Sequence, residues 1–316
     1  MPPNSVPTSS LALLSLADEP GRFAREIGES FRNFGFAMIT DHGIDADLIA
    51  SAWALTEAFF AQTEADKRRY AIPGIGGARG YTPFGTEIAK GAALHDLKEF
   101  WHTGRDLPAG SPLAASMSPN LWPDHPSGFR ETFQQLFTAF DRAGALILSR
   151  IAVYLGLDEH WFDPAIAEGN SVLRLLHYPP VADDGTGAIR AGAHEDINLI
   201  TLLLGAQEAG LELLTRQGTW LEVSPPPGAL VVNIGDMLQR LTNHVLPSTT
   251  HRVRNPQSAR AAHSRYSMPF FLHLRSDFSI ETLPGCVNSQ NPDRYPQPIL
   301  ADEYLQERLR EIGLIG

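Results

Sequence analysis

The spacing of apolar residues divides the chain into a helical first half and a strand-rich second half. In the first half, apolar residues recur at steps of three and four, which is typical of amphipathic helices. The pattern predicts a helix over residues 21–34, a second over 45–69 and a long third one starting at Phe129 and ending near Gly156. Residues 36–39 form a short strand in this interpretation, and residues 1–20 begin as a loose arm.

The second half contains short apolar runs that are separated by turn residues such as Gly, Pro, Asp and Asn. A succession of short strands with close turns is typical of a sandwich or barrel, so we expect a mostly β core with flanking helices. A final helix is expected within residues 298–316. The predicted strands are residues 172–178, 199–204, 211–214, 220–223, 229–234, 252–253 and 266–274.

Two segments of the first half carry polar patterns instead. Residues 74–80 contain four glycines in seven positions, which predicts a flexible loop and a hinge. Residues 81–106 carry many charged side chains, which we expect to be solvated, with substrate contacts as the alternative.

Composition narrows the class of protein. The chain has 316 residues, of which 43% are hydrophobic and 19% charged. This hydrophobic content is sufficient for the core of one compact unit. We expect a mainly helical region over 1–165, a β core over 166–290 and a helical tail over 291–316. The net charge of −11 disfavours binding to nucleic acid or to an anionic membrane. A single cysteine, Cys286, fits a reducing compartment, and we expect a soluble cytoplasmic protein, monomeric or weakly homo-oligomeric.

The candidate chemistry lies in the strand-rich half. His194 and Asp196 are two residues apart, so on an extended strand their side chains reach a common point. His251 can supply a third ligand from a later strand. Two imidazoles and one carboxylate hold one face of a divalent ion and leave other positions open, as in non-heme Fe(II) oxygenases. Each residue alone is common, so the combination carries the hypothesis.

A second group follows 14 residues after His251. Arg265 and Ser267 lie on one face of a predicted strand, where a guanidinium and a hydroxyl suit a carboxylate. A surface ion pair is the simpler explanation of Arg265 taken alone.

Together these residues resemble the HxD…H…RxS pattern of the Fe(II)- and 2-oxoglutarate-dependent dioxygenases, in the isopenicillin N synthase-like branch. Three further segments are similar to that branch: FGFAMITDHGI at 34–44, LLHYPP at 175–180 and VVNIGD at 231–236. The resemblance implies a double-stranded β-helix, or jelly roll, with a helical N-terminal region.

The resemblance also implies roles for these residues. His194, Asp196 and His251 would hold Fe(II). Arg265 and Ser267 would anchor the far carboxylate of 2-oxoglutarate, with Tyr178 as a further donor. O2 and 2-oxoglutarate would be consumed to give succinate, CO2 and an oxidised small-molecule substrate, and ascorbate is a candidate stimulant. Arg252 and Asn233 are candidates for supporting the ligands.

Alternatives remain open at this point. Some members of the branch use the same triad without 2-oxoglutarate, and others convert 2-oxoglutarate to ethylene; a metal-binding protein without activity is a third possibility. Leu176 stands where many plant members carry an Asn, and Arg174 or His177 could compensate. Residues 205–210 also depart from the family pattern. We expect a pocket that holds a small, mostly apolar molecule with a few polar handles, and amino acid, peptide, terpenoid and flavonoid substrates all stay possible.

Overall fold

The computed structural model describes residues 11–75, 77–86, 95–180, 189–204, 210–255 and 263–311. Its helices are α1 (Pro20–Phe34), α2 (Ala46–Phe60), α3 (Glu64–Arg68), α4 (Phe129–Tyr154), α5 (Asp163–Ile166), α6 (Asp236–Leu241) and α7 (Ala301–Glu311). Its strands are β1 (Leu13–Ser15), β2 (Phe36–Thr40), β3 (Gly80–Thr82), β4 (Glu99–Gly104), β5 (Val172–Tyr178), β6 (Ala191–His194), β7 (Ile200–Leu204), β8 (Leu211–Leu214), β9 (Trp220–Glu222), β10 (Leu230–Ile234), β11 (His251–Val253), β12 (Arg265–Leu272), β13 (Ser279–Ile280) and β14 (Ile299–Leu300).

Two sheets form the β core. The major sheet has eight strands in the order β1-β2-β10-β7-β12-β5-β4-β3, and the minor sheet has four in the order β6-β11-β8-β9. All pairings in these two sheets are antiparallel except that of β1 with β2. This arrangement is the jelly roll that the family resemblance implies.

Helices cover the outer face of the major sheet. Along β12, alternate residues point to opposite faces, and Phe270 stacks on Phe140 of α4 with ring centroids 5.3 Å apart. Helix α1 lies against α4 at Gly28, where a Cβ atom would stand only 2.1 Å from the ring of Tyr154. The larger core therefore lies between the helices and this sheet.

A smaller apolar cluster lies between the two sheets, on the inner face of the major sheet. Its residues include Phe36, Phe100, Leu176, Tyr178, Leu213, Val231 and Val253. This inner space also receives the polar side chains of the candidate site.

Several predictions need correction. The expected helix over 45–69 is two helices, because α2 ends at Phe60 and Thr63 caps α3 by accepting a hydrogen bond from the Asp66 amide. The expected loose arm contains β1, which pairs in parallel with β2. The expected solvated segment contains β4, all six residues of which are buried. Strands from the first 165 residues thus extend the major sheet.

Other predictions hold within a residue or two: α1, α4, β5 and β8 follow the predicted bounds closely. The final helix is α7. Residues 205–209, and residues 87–94 of the charged segment 81–106, lie outside the described residues. No helix in the described part of the chain has the length and apolar character needed to cross a bilayer.

Candidate active site

The two histidines of the predicted triad face each other across neighbouring strands of the minor sheet. His194 ends β6 and His251 begins β11, and the two residues are partners in the antiparallel register. Their ring centroids are 4.4 Å apart. Asp196 follows β6 by two residues, and one ligand atom from each of the three side chains lies within 4.8 Å of the others. The structure therefore brings together the three residues that the spacing selected.

Backbone carbonyls fix the orientation of both imidazoles. The Nδ1 atom of His194 lies 2.7 Å from the carbonyl oxygen of Gly192, and Nδ1 of His251 lies 3.0 Å from that of Thr249. An imidazole that donates from Nδ1 keeps a lone pair on Nε2 for a metal. Both Nε2 atoms face Asp196, at 3.8 Å for His194 and 3.9 Å for His251.

The carboxylate of Asp196 is held by two donors from the major sheet. Oδ2 accepts hydrogen bonds from the Thr201 hydroxyl at 2.6 Å and from the Asn233 amide at 2.8 Å. Burial opposes ionisation, but His251, His194 and these two donors outweigh it, so the pKa of Asp196 lies below its usual value. Asp196 is therefore an anion at neutral pH.

For His194, in contrast, the effect of burial is not outweighed. Desolvation, reinforced by the neighbouring His251, lowers the pKa of His194 to about 4. The imidazole is neutral at pH 7, which is the form that binds a metal.

The residues predicted to bind 2-oxoglutarate share the inner face of the major sheet. Arg265 is the register partner of Tyr178, and Ser267 that of Leu176, on the adjacent strands β12 and β5. Arg265 and Ser267 are 3% and 2% exposed. The Arg265 guanidinium lies 5.1 Å from the centroid of the Tyr178 ring. Thr201, which holds Asp196, is on the next strand and pairs with Phe271 of β12.

A cavity of about 690 Å³ extends to the triad. Its lining includes His194 and Asp196, but among the described residues it does not include Arg265, Ser267 or Tyr178. Side chains of α7, among them Leu305 and Leu309, close part of its wall.

Polar side chains line one wall of this cavity. Lys98 forms an ion pair with Asp96 at 2.8 Å, and both are buried. Arg174 donates from Nε to Nε2 of His102 at 2.5 Å, and its guanidinium lies 4.2 Å from the centroid of the Phe100 ring. The charged side chains of Asp96, Lys98 and Glu99 are thus buried rather than solvated.

The candidates for supporting roles divide clearly. Asn233 contacts the triad, whereas Arg252 pairs with Glu212 at 2.8 Å and stacks on Trp220, away from Asp196. Arg174 lies on the same face as Leu176. His177 points the other way, to Glu99, with 2.6 Å between its Nδ1 and Oε1.

Thr201, Arg79 and His273 were not selected from the sequence. A polar residue within the apolar run ITLLL was the available signal for Thr201. His273 and Arg79 are buried at the cavity wall, and burial lowers the pKa of His273 to about 4.

The donor set fits ferrous iron. The His194 Nε2 atom lies 3.8 Å from Oδ1 of Asp196 and the His251 Nε2 atom lies 3.9 Å from Oδ2, and one ligand atom from each side chain lies within 4.8 Å of the others. Two neutral imidazoles and one carboxylate are the facial set of non-heme Fe(II) oxygenases. A buried guanidinium beside a buried hydroxyl suits the far carboxylate of 2-oxoglutarate.

Comparison with protein families gives two matches. Residues 169–274 match the 2OG-Fe(II) oxygenase superfamily. Residues 6–125 match the non-haem dioxygenase in morphine synthesis N-terminal family.

Full-length relatives agree with these matches. A proline hydroxylase, buaE of Petromyces alliaceus, is 33% identical over 93% of this chain and 95% of its own. A putative 2OG-Fe(II) oxygenase family protein from Caulobacter crescentus is 54% identical, with a TM-score of 0.90 over 96% of this chain and 100% of that one. A full-length Neurospora crassa protein, solved in complex with alpha-KG and thymine, is 28% identical with a TM-score of 0.85 over 95% of this chain and 96% of that one. The chain therefore belongs to the 2-oxoglutarate- and Fe(II)-dependent oxygenase superfamily and is a non-heme iron oxygenase that uses 2-oxoglutarate and O2.

Proposed function

We propose that this enzyme oxidises a C–H bond of a small organic molecule by hydroxylation, desaturation or ring closure, with release of succinate and CO2. In this proposal His194, Asp196 and His251 hold the iron. Arg265 and Ser267 bind the far carboxylate of 2-oxoglutarate, and Tyr178 borders the same site. The observation that carries the proposal is the clustering of one ligand atom from each of these three side chains next to a cavity that His194 and Asp196 line.

The bound iron supplies the oxidising chemistry, drawing on O2 and 2-oxoglutarate. The side chains around the iron determine its charge environment and hold its ligands in place. Asp196 contributes the negative charge of the ligand set, and the donors Thr201 and Asn233 keep that carboxylate ionised and in place. Removal of either donor would leave the carboxylate freer to rotate away from the two imidazoles.

Arg265 orients the cosubstrate in this mechanism. Its position on the central strand β12 fixes it relative to Thr201 on β7, and thus relative to Asp196. The planar guanidinium can bind both oxygens of a carboxylate, which would fix the orientation of the cosubstrate as well as increase its affinity. Burial of Arg265 and Ser267 excludes water from this contact and strengthens it.

The substrate is a separate question, because relatives differ in what they act on. The relative buaE is a proline hydroxylase, whereas claD of Penicillium crustosum, 29% identical, is a clavatol oxidase. The Neurospora crassa protein was solved with thymine. We infer a small molecule of a size that a cavity of about 690 Å³ admits, and no role for nucleic acid in a chain of net charge −11.

One incubation tests the proposal. The purified protein is mixed in air with Fe(II), ascorbate and 2-oxoglutarate, and succinate and ethylene are measured over time. We expect slow succinate formation without added substrate, absent in Asp196→Ala. Ethylene as the main product would favour the ethylene-forming alternative. No 2-oxoglutarate consumption by protein that binds iron, with or without candidate substrates, would refute the proposed turnover.

A further inference from the structure

A buried cation stands at the wall of the cavity without an acidic partner in the described part of the chain. Arg79 is 3% exposed, and its Nη1 atom donates a hydrogen bond to the carbonyl oxygen of Ala78 at 2.7 Å. Its Nε and Nη2 atoms are buried without an acceptor among the described residues. Asp106 is the acidic group whose charge reaches it, but Asp106 is exposed and accepts hydrogen bonds from Asn120 and Gln134.

Such an arrangement is costly in a protein that has no ligand for it. Buried donors normally find acceptors, and a buried charge normally finds a counter-charge. Burial lowers the pKa of Arg79 to about 10, which leaves the guanidinium charged at pH 7. An anion entering the cavity would supply both the acceptors and the counter-charge.

The strand beside Arg79 is shaped to admit its guanidinium. Gly104 of β4 lies against it, and a Cβ atom at this position would stand 2.0 Å from both Cζ and Nη2 of Arg79. Gly104 pairs with Val172 of β5, another residue of the cavity wall. The absence of a side chain at residue 104 therefore makes the space that the cation occupies.

The acidic groups of the same cavity have other partners. Asp96 pairs with Lys98, and Asp236 lies 3.9 Å from Arg308. Glu195 accepts a hydrogen bond from Thr250 at 2.9 Å. Asp196 belongs to the triad, so none of the cavity's described acidic residues neutralises Arg79.

A second buried polar group borders the route from Arg79 to the triad. His273 lines the cavity and is 8% exposed, and its Nδ1 atom has no hydrogen-bond partner among the described residues. The charges of both Asp196 and Arg79 reach this ring, which places it in range of the two sites. A polar atom of a bound substrate would satisfy it.

We propose that the primary substrate carries a carboxylate that binds Arg79, with its carbon skeleton extending past His273 to the triad. This inference rests on the proposed function and concerns the same site. Arg79 is the arginine of this cavity whose buried donors lack acceptors among the described residues, and Asp96 and Asp236 line the same cavity, so a monoanionic carboxylate fits better than a phosphate. Arg79 thus selects the substrate, whereas Arg265 holds the cosubstrate in a place that the cavity lining does not include.

Binding without turnover tests the assignment. Protein loaded with Mn(II) and saturating 2-oxoglutarate, kept anaerobic, is titrated by calorimetry with three acids: cyclopentanecarboxylate, benzoate and 3-phenylpropionate. Each acid is compared with its primary amide, which has the same skeleton and no charge. We expect at least one acid to bind roughly tenfold or more tightly than its amide, a difference of about 1.4 kcal/mol.

The variants identify the residue. Arg79→Gln should abolish the preference for acid over amide, and Arg79→Lys should retain part of it. Gly104→Ala keeps the charge but displaces the guanidinium, so it should also weaken acid binding. Arg130→Gln removes an exposed arginine of α4 and should behave as the wild type. Thermal midpoints and 2-oxoglutarate affinity verify that each variant is folded and loaded.

Two results would overturn the proposal: no acid binds better than its amide, or the preference survives in Arg79→Gln. Tighter binding of phenyl phosphate than of benzoate would replace the carboxylate by a phosphate. Failure of the proposed function is distinguishable, since it appears as absent succinate from the Fe(II) protein in air. The acid preference is measured with Mn(II) and does not depend on turnover.

Discussion

Replacement of Arg265 tests how the enzyme holds 2-oxoglutarate. Arg265→Ala removes a guanidinium that is 3% exposed, beside a Ser267 that is 2% exposed. The far carboxylate of the cosubstrate would then lie in a nearly dry site with only hydroxyl donors. Truncation of one partner of a buried charge pair costs on the order of 2–5 kcal/mol.

That range sets the expected change in affinity. Because each 1.4 kcal/mol corresponds to tenfold, the dissociation constant of 2-oxoglutarate should rise by roughly 30-fold or more. Arg265→Lys keeps the charge but loses the planar fork, so its affinity should fall between those of the wild type and Arg265→Ala. Iron affinity should change little, because Arg265 is not among the three clustered ligand residues.

The assay is a titration of the anaerobic Fe(II) protein with 2-oxoglutarate, followed by the visible charge-transfer absorption of the chelate. Arg275→Ala is the matched control, since it removes the same charge from a residue paired with Asp277 just beyond β12. An unchanged dissociation constant in Arg265→Ala would remove Arg265 from the cosubstrate site and refute the reasoning.

Three further outcomes follow from the same structure. Asp196→Ala should lose both Fe(II) binding and turnover, because it removes the anion of the ligand set; full activity would exclude the triad. Asn233→Ala should weaken iron affinity by about 10- to 100-fold in a competition titration with a chelator, whereas an unchanged affinity would make its contact with Asp196 incidental. Burial opposes ionisation of the Glu99 carboxyl group, yet hydrogen bonds from His177 and Lys67 hold its pKa below 4.5. Its contribution to stability is therefore complete above pH 4.5 and is lost as the pH falls through the lower folded-state value; urea unfolding from pH 7 to 3 should show this loss, and Glu99→Gln should reduce it.

Sequence patterns selected the three residues that the structure brings together, because two of them lie close in sequence and the third lies next to a predicted strand. His194 and Asp196 are two apart, and His251 directly precedes the strand predicted over 252–253 and is the first residue of β11. The apolar runs of β5 and β8 likewise show their buried faces directly. Local periodicity was sufficient to predict these two strands.

Strand β4 shows where that reasoning stops. Its sequence, EFWHTG, has no alternation of apolar and polar residues, since both faces bury polar groups. Glu99 is compensated by Lys67 at 2.7 Å, and His102 by the carbonyl oxygen of Gly77 at 2.6 Å. These partners come from other parts of the chain, so nothing local distinguishes the segment from a solvated one.

Arg79 could not be selected for the same reason. Its significance depends on burial, on the missing side chain of Gly104 and on the absence of an acceptor among the described residues. Each of these is a property of the folded arrangement. In the sequence, Arg79 is one basic residue in a glycine-rich loop.

The register between β6 and β11 has a consequence for assembly of the minor sheet. His194 and His251 are cross-strand partners, and the pairing becomes irregular immediately beyond them, between His251 and Val253. A slip by one residue would turn one imidazole to the opposite face and disperse the ligands. An ion bound by both imidazole rings would therefore favour the native register and stabilise the pairing of these two short strands. Amide hydrogens of β6 and β11 should exchange with solvent more slowly in the iron-loaded enzyme than in the metal-free one.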